Sequence, residues 1–208
     1  MPESHREILE NETEMVIWEI TETETELQNG LSLSSEALKR LSKRRSSIHR
    51  KGYLAIRQLL KSLGIPPEIH QYDGIGAPYL TDGRFISISH SKDKAAVVIS
   101  STPVGIDLEQ YKHKIKLIAP RFLHSSENER SVEMDELVYL TQIWTAKEAL
   151  YKLYKKPGLI FSNQIYIKPF KKGSTSGEGL IIEKDKTSEY ILYFRRFDTY
   201  YLTLATTN

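Results

Sequence analysis

An α+β fold is the class that the sequence predicts, and three observations support it. Short runs such as residues 84–89 alternate apolar and polar side chains and are separated by Gly, Pro, Asp and Ser turns. The helical stretches are grouped together instead of alternating with every strand. Each half of the chain runs strand, helices, strands, which suggests two related subdomains, 1–103 and 104–208, each with a small, mostly antiparallel sheet.

The first half is predicted to contain two helices between strands. Residues 15–20 resemble a strand, and the Thr-Glu alternation of 21–26 would, if extended, place threonines and glutamates on opposite faces. A helix follows from an N-cap at Ser34 or Ser35 to Arg45. The next helix has one apolar stripe: Ile48, Tyr53, Ile56, Leu60 and Leu63. Further strands are predicted at 84–89, 95–100 and 104–109.

The second half is dominated by one long helix, predicted from about Val132 to Tyr154. Its apolar stripe consists of Leu140, Ile143, Ala146, Leu150 and Leu153. Just before it, Ser126 and Glu129 have the spacing of a capping box. The remainder, 164–205, alternates as strands around a Gly/Ser turn.

Composition excludes several classes of protein. Lys and Arg total 29 against 27 Asp and Glu among 208 residues, so a uniformly basic nucleic-acid coat and an acidic tail are both excluded. There is no cysteine, and therefore no disulfide framework, thiolate zinc site or cysteine nucleophile. No apolar run approaches the ~20 residues of a membrane span, and the N-terminus lacks the order of a secretory signal. A cytoplasmic protein is expected.

The charges are strongly segregated although their sum is near zero. Residues 1–30 hold nine acids and one base, whereas residues 31–61 hold nine bases and one acid. Two interpretations remain open. Either the acidic edge pairs with a basic helix face or both lie in water, or the basic stretch attracts a polyanionic ligand.

The segment Val104–Glu109 suggests a metal site. On a strand, residues two apart share a face, so Asp107 and Glu109 present paired carboxylates. Because only oxygen ligands are offered, Mg²⁺ is the natural candidate, completed by water and substrate phosphates. The alternative is a strand end with two solvated acids.

The segment Ile143–Lys152 places three functional side chains on one helix face. Trp144, Glu148 and Lys152 are spaced four apart. Glu148 is a candidate third metal carboxylate, with Lys147 and Lys152 facing an anionic ligand. The alternative is an ordinary Glu–Lys helix pair beside a core tryptophan.

A Ser-His-Ser cluster ends the alternating strand at Ile86–Ser91. Ser89 and His90 are well placed to donate hydrogen bonds to a phosphate. A surface turn with one stray histidine is an alternative. A Ser/His hydrolase is another, although the chain has no Gly-x-Ser-x-Gly elbow.

Five segments taken together resemble a known family. They are Gly76-Ala77-Pro78, Ser87–His90, Gly105–Glu109, Phe122–Glu127 and Trp144–Lys152. In order and spacing they resemble the 4′-phosphopantetheinyl transferases of the large, surfactin-synthetase-activating type. That type is built of two pseudo-symmetric halves on one chain. The resemblance covers residues 45–155, while the ends match only in length and strand content.

The resemblance implies an activity and a metal. The enzyme would transfer 4′-phosphopantetheine from coenzyme A to a serine of an acyl or peptidyl carrier protein in fatty acid, polyketide or nonribosomal peptide biosynthesis, leaving adenosine 3′,5′-bisphosphate. Mg²⁺ would be held by Asp107, Glu109 and Glu148. His90 and Lys152 would hold phosphates, with Ser89 helping to place the ligand.

The same resemblance implies a proton acceptor and a docking surface. Glu127 is expected to act as the base, with Lys147 as an electrostatic helper kept protonated by neighbouring carboxylates. An acidic carrier would meet a basic or apolar surface, for which two segments are candidates if they are not core: Leu117, Ile118, Phe122 and Leu123, and Tyr154–Phe161. A monomer is expected.

One departure from the family pattern concerns the coenzyme A phosphate. The family usually has lysine in the Gly-x-Pro turn, where it meets the 3′-phosphate, and this chain has Ala77. The basic helix face around Lys43, Arg44 and Arg50 could compensate. A catalytically weak homologue that only binds coenzyme A or a carrier is the alternative function, and a nucleic-acid-binding module using residues 39–61 is a third.

Overall fold

The structure is a computed structural model that describes residues 3–10, 12–127 and 134–207. The chain divides into two compact units, Met1–Thr102 and Pro103–Asn208. Each unit holds one principal antiparallel sheet packed against helices. The predicted α+β class is therefore confirmed.

The described residues of the N-terminal unit form six strands and three helices. In chain order they are β1 (Glu3–Leu9), β2 (Thr13–Glu19), α1 (Glu24–Gln28), α2 (Ser35–Ser42), α3 (Ser47–Ser62), β3 (His70–Tyr72), β4 (Pro78–Leu80), β5 (Phe85–Ser91) and β6 (Lys94–Ser100). The four-stranded sheet has the order β1-β2-β6-β5, and β3 and β4 form a separate hairpin. Helix α3 packs on this sheet and supplies much of the core of the unit.

Within 103–127 and 134–207, the C-terminal unit contains five strands, three α-helices and a 3-10 turn. They are β7 (Val104–Gln110), α4 (Lys114–Phe122), the 3-10 turn (Ser125–Glu127), α5 (Glu136–Tyr154), α6 (Phe161–Gln164), β8 (Ile165–Ile167), β9 (Ser176–Glu183), β10 (Lys186–Phe197) and β11 (Tyr200–Thr207). The sheet order is β7-β11-β10-β9-β8, with every pair antiparallel. Helix α5 lies across this sheet.

Most of the predicted helical stripes are buried as expected. All five apolar residues predicted for the long helix are buried in α5, and Ser34 is the N-cap of α2. In α3, Tyr53, Ile56 and Leu60 are buried, but Ile48 is 49% exposed because it lies in the first turn of the helix, at its edge. The predicted start of the long helix at Val132 and the capping residue Glu129 lie outside the described residues.

Two local elements were not predicted from the sequence. The Thr-Glu repeat is not extended throughout, because the Thr23 side chain accepts a hydrogen bond from the Glu26 backbone N–H and starts helix α1 as a capping box. Strand β1 was not predicted. Its residues alternate between half-buried and exposed, as suits an edge strand with little apolar patterning.

None of the helices within the described ranges is long and apolar enough to cross a membrane.

Candidate active site

A glycine allows strand β7, which carries Asp107 and Glu109, to pack closely against helix α5. Gly105 lies in β7, and a Cβ atom built there would come 2.0 Å from the backbone oxygen of Ala149 in α5. No side chain can occupy that space, since real Cβ contacts are never so short. The close approach of β7 and α5 brings the acids of the strand next to Glu148 and Lys152.

Asp107 and Lys152 form the central ion pair of this strand–helix cluster. The Lys152 Nζ donates to Asp107 Oδ1 at 2.7 Å and to the backbone oxygen of Ile106 at 3.0 Å. Asp107 is only 4% exposed, so its charge is held beside a cation and largely away from water. Lys152 was predicted to face an anionic ligand. In the structure it contacts a carboxylate of the chain itself, that of Asp107.

Glu148 lies within electrostatic range of both strand acids. The pKa of Glu148 is raised to about 7, chiefly by burial and then by the negative charges of Asp107 and Glu109, while Lys152 opposes these effects. Glu109 is partly exposed, and its Oε2 lies 3.7 Å from the Lys112 Nζ. The structure therefore brings the three predicted metal carboxylates into one neighbourhood of mutual repulsion.

The donor set suits a hard divalent cation by its chemistry. Three carboxylates without histidine or cysteine match the oxygen preference of Mg²⁺, and a cation would relieve the repulsion that raises the pKa of Glu148. Across residues 3–10, 12–127 and 134–207, no three acidic or imidazole groups are arranged to share one ion as they stand. Metal ligation by Asp107, Glu109 and Glu148 therefore stays a prediction.

Glu127 and Lys147 form a second ion pair, which is completely enclosed. Their charged atoms are 2.7 Å apart, and the side chains are 1% and 0% exposed. Lys147 Nζ also donates to three backbone oxygens, those of Phe122, Phe161 and Ile165, at 2.6 to 3.0 Å. Burial lowers the pKa of Lys147, and Glu127 opposes that effect.

The Glu127 carboxylate is equally well held. Its Oε2 accepts from the His124 backbone N–H at 2.7 Å, and its Oε1 accepts from the Ile167 N–H at 2.8 Å. The Tyr139 hydroxyl donates to the backbone oxygen of Glu127 at 2.7 Å. The carboxylate is thus held by one lysine and two backbone amides inside the protein. These contacts support a structural role for the Glu127–Lys147 pair.

The side chains of Lys147 and Glu148 point in different directions from helix α5. Lys147 and Glu148 are consecutive, and successive helix residues point about 100° apart. Lys147 reaches the end of α4 and the start of β8, whereas Glu148 faces β7. The structure thus brings together Asp107, Glu109, Glu148 and Lys152 as one set, and Glu127 with Lys147 as another.

In the N-terminal unit, Ser89 and His90 lie on β5 next to helix α3. Ser89 is buried and His90 is half-buried. A Cβ atom at Gly52 of α3 would come 2.0 Å from the Cδ2 of His90, so the helix backbone packs directly on the imidazole. Gly52 was missed by the sequence reasoning. A lone glycine inside an otherwise regular apolar stripe was the available signal.

Both arginines predicted to bind coenzyme A already have partners. Arg50 holds the Glu24 carboxylate with two nitrogens, at 2.8 and 2.9 Å, and donates to the backbone oxygens of Arg44 and Arg45. Arg44 stacks over the ring of Tyr53 at 4.1 Å, and desolvation lowers its pKa. The Glu24–Arg50 pair supports the interpretation in which the acidic segment partners the basic helix face. Phosphate binding by Arg44 and Arg50 stays a prediction.

The Gly-Ala-Pro turn is shaped by Asp73. The Asp73 Oδ1 accepts from the backbone N–H groups of Ile75 and Ala77 at 3.0 and 2.8 Å, and Gly76 adopts a φ of +86°. The turn is therefore held by the Asp73 side chain, without the lysine that the family usually places at the position of Ala77.

The docking candidates divide between surface and core. Leu117 is 80% exposed and Ile160 is 56% exposed, whereas Phe122 is 1% exposed and stacks edge-on against Trp144. Ile118 and Leu123 are partly buried against the same core. Phe122 is thus a core residue.

Comparisons with known proteins match the C-terminal unit to a family. The model of the 4′-phosphopantetheinyl transferase superfamily matches residues 103–205, the stretch that carries both ion pairs. The chain therefore belongs, through its C-terminal unit, to the 4′-phosphopantetheinyl transferase superfamily.

Three relatives of known annotation are similar over part of their length. Enterobactin synthase component D of Salmonella typhi is 30% identical over 126 residues, 57% of this chain and 52% of that protein. The 4′-phosphopantetheinyl transferase gsp of Aneurinibacillus migulanus is 30% identical over 122 residues, 56% of this chain and 52% of its own. The 4′-phosphopantetheinyl transferase psf-1 of Bacillus pumilus is 31% identical over 114 residues, covering 50% and 48%. The chain spans about half the length of the curated relatives it matches.

Proposed function

We propose that the protein transfers 4′-phosphopantetheine from coenzyme A to a serine hydroxyl of an acyl or peptidyl carrier protein, releasing adenosine 3′,5′-bisphosphate. The observation that carries the proposal is the packing of β7 on α5, which places Asp107 and Lys152 in contact and Glu148 beside them. This cluster lies within the part of the chain that matches the superfamily.

The bond broken is a diphosphate bond, so the protein acts by positioning and charge neutralisation. Asp107, Glu109 and Glu148 would hold a Mg²⁺ ion, which when bound neutralises negative charge on the diphosphate oxygens. Lys152 would turn from Asp107 toward a phosphate, and His90 and Ser89 would donate hydrogen bonds to the ligand. Arg44 and Arg50 would bind phosphate only by exchanging the partners described above.

The proposed proton acceptor for the serine is Glu127, assisted by Lys147, as the family resemblance implies. Taking up the proton would require Glu127 to give up the bonds from Lys147, His124 and Ile167. The enclosed geometry supports the competing role, in which the pair fixes α5 against α4 and β8. Variants of both residues, described in the Discussion, decide between these roles.

The carrier would dock on exposed apolar and basic side chains. Leu117 on α4 lies between Lys114, Lys116 and Arg121 in sequence, and Ile160 follows Lys155 and Lys156. An acidic, helical carrier fits such a surface. We also propose that the protein acts as a monomer in the cytoplasm.

The test is transfer to an apo carrier domain in the presence of coenzyme A and Mg²⁺, followed by mass spectrometry. The wild-type protein should add one phosphopantetheine to the carrier, and Glu148→Gln should lower the rate at least about 100-fold. Glu136→Gln is the matched control, since Glu136 lies on the same helix and pairs with Lys116 at the surface.

Three outcomes would contradict the proposal. Binding of coenzyme A without a mass gain on any of several carrier domains would favour the catalytically weak homologue, which Ala77 supports. Retention on DNA as the only activity would favour the nucleic-acid module. Equal transfer rates for Glu148→Gln and Glu136→Gln would show that the strand–helix cluster around Asp107 and Lys152 takes no part in the transfer.

A further inference from the structure

The N-terminal unit contains a cavity that none of the proposed coenzyme A residues lines. It has a volume of about 770 Å³ and lies between α2, α3 and the segment 64–72. Arg44, Arg50, Ser89 and His90 are not among its lining residues. A volume between roughly 300 and 1,000 Å³ is typical of sites for small organic molecules.

The cavity is partly apolar. Leucine, isoleucine, proline and tyrosine side chains form one part of its wall, chiefly Leu31, Leu33, Leu60, Ile65, Pro66 and Tyr72, and the rest includes the charged side chains of Glu36, Lys61 and Glu68. Several of these also pack against the core of the unit, so the wall is part of the folded scaffold. A ligand of this cavity would bury an apolar or aromatic body.

One end of the cavity is cationic. The Arg57 guanidinium lies 3.7 Å from the ring centre of Tyr53, and its Nη2 donates to the hydroxyls of Tyr53 and Tyr72 at 2.8 and 3.2 Å. Arg40 lies 4.1 Å from the ring centre of Tyr72. Within the described part of the chain, Arg40 pairs with the exposed Glu36, but no carboxylate pairs with Arg57.

Two polar atoms at this end are buried without a hydrogen-bond partner in the described structure. They are the Nη1 of Arg57 and the Nε2 of His70, and both residues line the cavity. Buried donors that lack partners are costly, and native structures satisfy most of them. Burial, followed by the charges of Arg57 and Arg40, lowers the pKa of His70 to about 4.

We propose that this cavity is a second small-molecule site, which binds an amphipathic anion: an aromatic or short apolar body carrying one carboxylate or phosphate. The anion would accept from Arg57 Nη1 and from His70, and the apolar body would lie against the leucines and prolines. The charged group would supply the missing partner of Arg57, and charge-assisted hydrogen bonds are the strong ones.

The test compares three probes of the same body: benzoate, phenyl phosphate and the neutral benzyl alcohol. Titrations followed by NMR of the His70 imidazole should show saturable binding of at least one anion, at least about tenfold tighter than the alcohol. The anion should also raise the pKa of His70. The two anionic arms distinguish carboxylate from phosphate recognition.

Two variants and one control locate the site. Arg57→Gln should reduce anion binding to the level of the alcohol, and Ala37→Phe should abolish binding of all three probes by filling the cavity from α2. Arg84→Gln is the control, because Arg84 is an exposed arginine that pairs with Asp82 outside the cavity.

Several results would overturn the proposal. If benzyl alcohol binds as tightly as the two anions, the site does not require a negative charge. If the Ala37→Phe variant binds the probes as tightly as the wild-type protein does, the probes bind outside the cavity. If Arg57→Gln fails to fold, the Ala37→Phe result still decides the location. Displacement of the anions by excess coenzyme A would show that the cavity is not separate from the coenzyme A site.

Discussion

Individual side chains in this protein show how burial changes what a charged residue can do. Glu127 and Lys147 differ from Asp107 and Lys152 in exposure, not in chemistry. The first pair is enclosed, and all its oxygens and protons are engaged by backbone groups as well as by each other. In the second pair, the Lys152 side chain is 28% exposed. Only a cation with access to solvent can exchange a carboxylate for a substrate phosphate.

The Glu127–Lys147 pair is expected to contribute more to the stability of the fold than to the transfer reaction. Glu127→Gln leaves a buried lysine charge uncompensated, which should cost about 3–5 kcal/mol in the free energy of unfolding. The double variant Glu127→Gln with Lys147→Met removes both charges and should regain a large part of that loss. Urea unfolding of the single and double variants measures both effects.

Transfer activity of the same variants decides the catalytic role of Glu127. If the pair is structural, the double variant recovers activity together with stability. If Glu127 is the base, the double variant is folded but inactive, and a Lys147→Met single variant retains more activity than either variant that lacks Glu127.

Elements of this fold approach each other where glycine removes a side chain. Gly105 allows β7 to contact the backbone of α5, and Gly52 allows α3 to contact the His90 imidazole on β5. In each case the glycine lies next to a proposed ligand-binding group. Neither glycine has a positive φ, so packing, not backbone conformation, requires them.

Gly105→Ala is expected to separate β7 from α5. The added Cβ would meet the Ala149 oxygen at 2.0 Å and the Leu153 nitrogen at 2.7 Å, both backbone atoms that move only with the whole helix. We expect destabilisation of about 1–3 kcal/mol, as for overpacked cores, and loss of transfer activity. Thermal unfolding and the transfer assay measure these. Unchanged stability and activity would show that the two elements do not depend on this contact.

Gly52→Ala is expected to act more selectively, because its contact is the ring of a side chain. The imidazole of His90 must rotate or shift, while alanine favours the helix by roughly 0.5–1 kcal/mol. We therefore expect a folded protein with a raised KM for coenzyme A and a smaller change in kcat. Ile48→Ala, a change at an exposed residue of the same helix, is the control. An unchanged KM would show that His90 does not hold the ligand.

At the scale of the whole molecule, the two units should respond to pH in opposite directions. His70 in the first unit has a pKa lowered to about 4 from 6.5, so the unfolded state binds more protons between these values and stability is lost as the pH falls. Glu148 in the second unit has a pKa raised to about 7 from 4.5, so the folded state binds more protons and stability is lost as the pH rises. Each effect amounts to about 3 kcal/mol at most.

The two tryptophans allow each unit to be followed separately. Trp18 lies in the first unit and Trp144 in the second, so Trp144→Phe and Trp18→Phe variants report one unit each in metal-free buffer. We expect urea midpoints to rise from pH 4 to 6.5 in the first unit and to fall from pH 4.5 to 7 in the second. His70→Gln and Glu148→Gln should flatten the respective profiles. A profile unaffected by its variant would contradict the assigned group.

Sequence periodicity predicted the elements that are regular and amphipathic. The long helix α5 and the strands at 84–89, 95–100 and 104–109 were found because one face of each is continuously apolar. The edge strand β1 was not predicted, since an exposed edge has little apolar pattern. Helix α1 was not predicted because its capping hydrogen bond at Thr23 lies within a Thr-Glu alternation that is typical of a strand.

By itself, the sequence determined the α+β class, the family and the residue types that can hold a divalent cation, because these follow from local periodicity and from motifs of adjacent residues. Only the tertiary structure decided that Glu148 lies beside Asp107, that Glu127 and Lys147 are sealed together, and that Arg57 and His70 line a cavity. Such facts depend on distances between residues far apart in the chain and on the exclusion of water. Neither those distances nor the exclusion of water can be inferred from a single segment of the sequence.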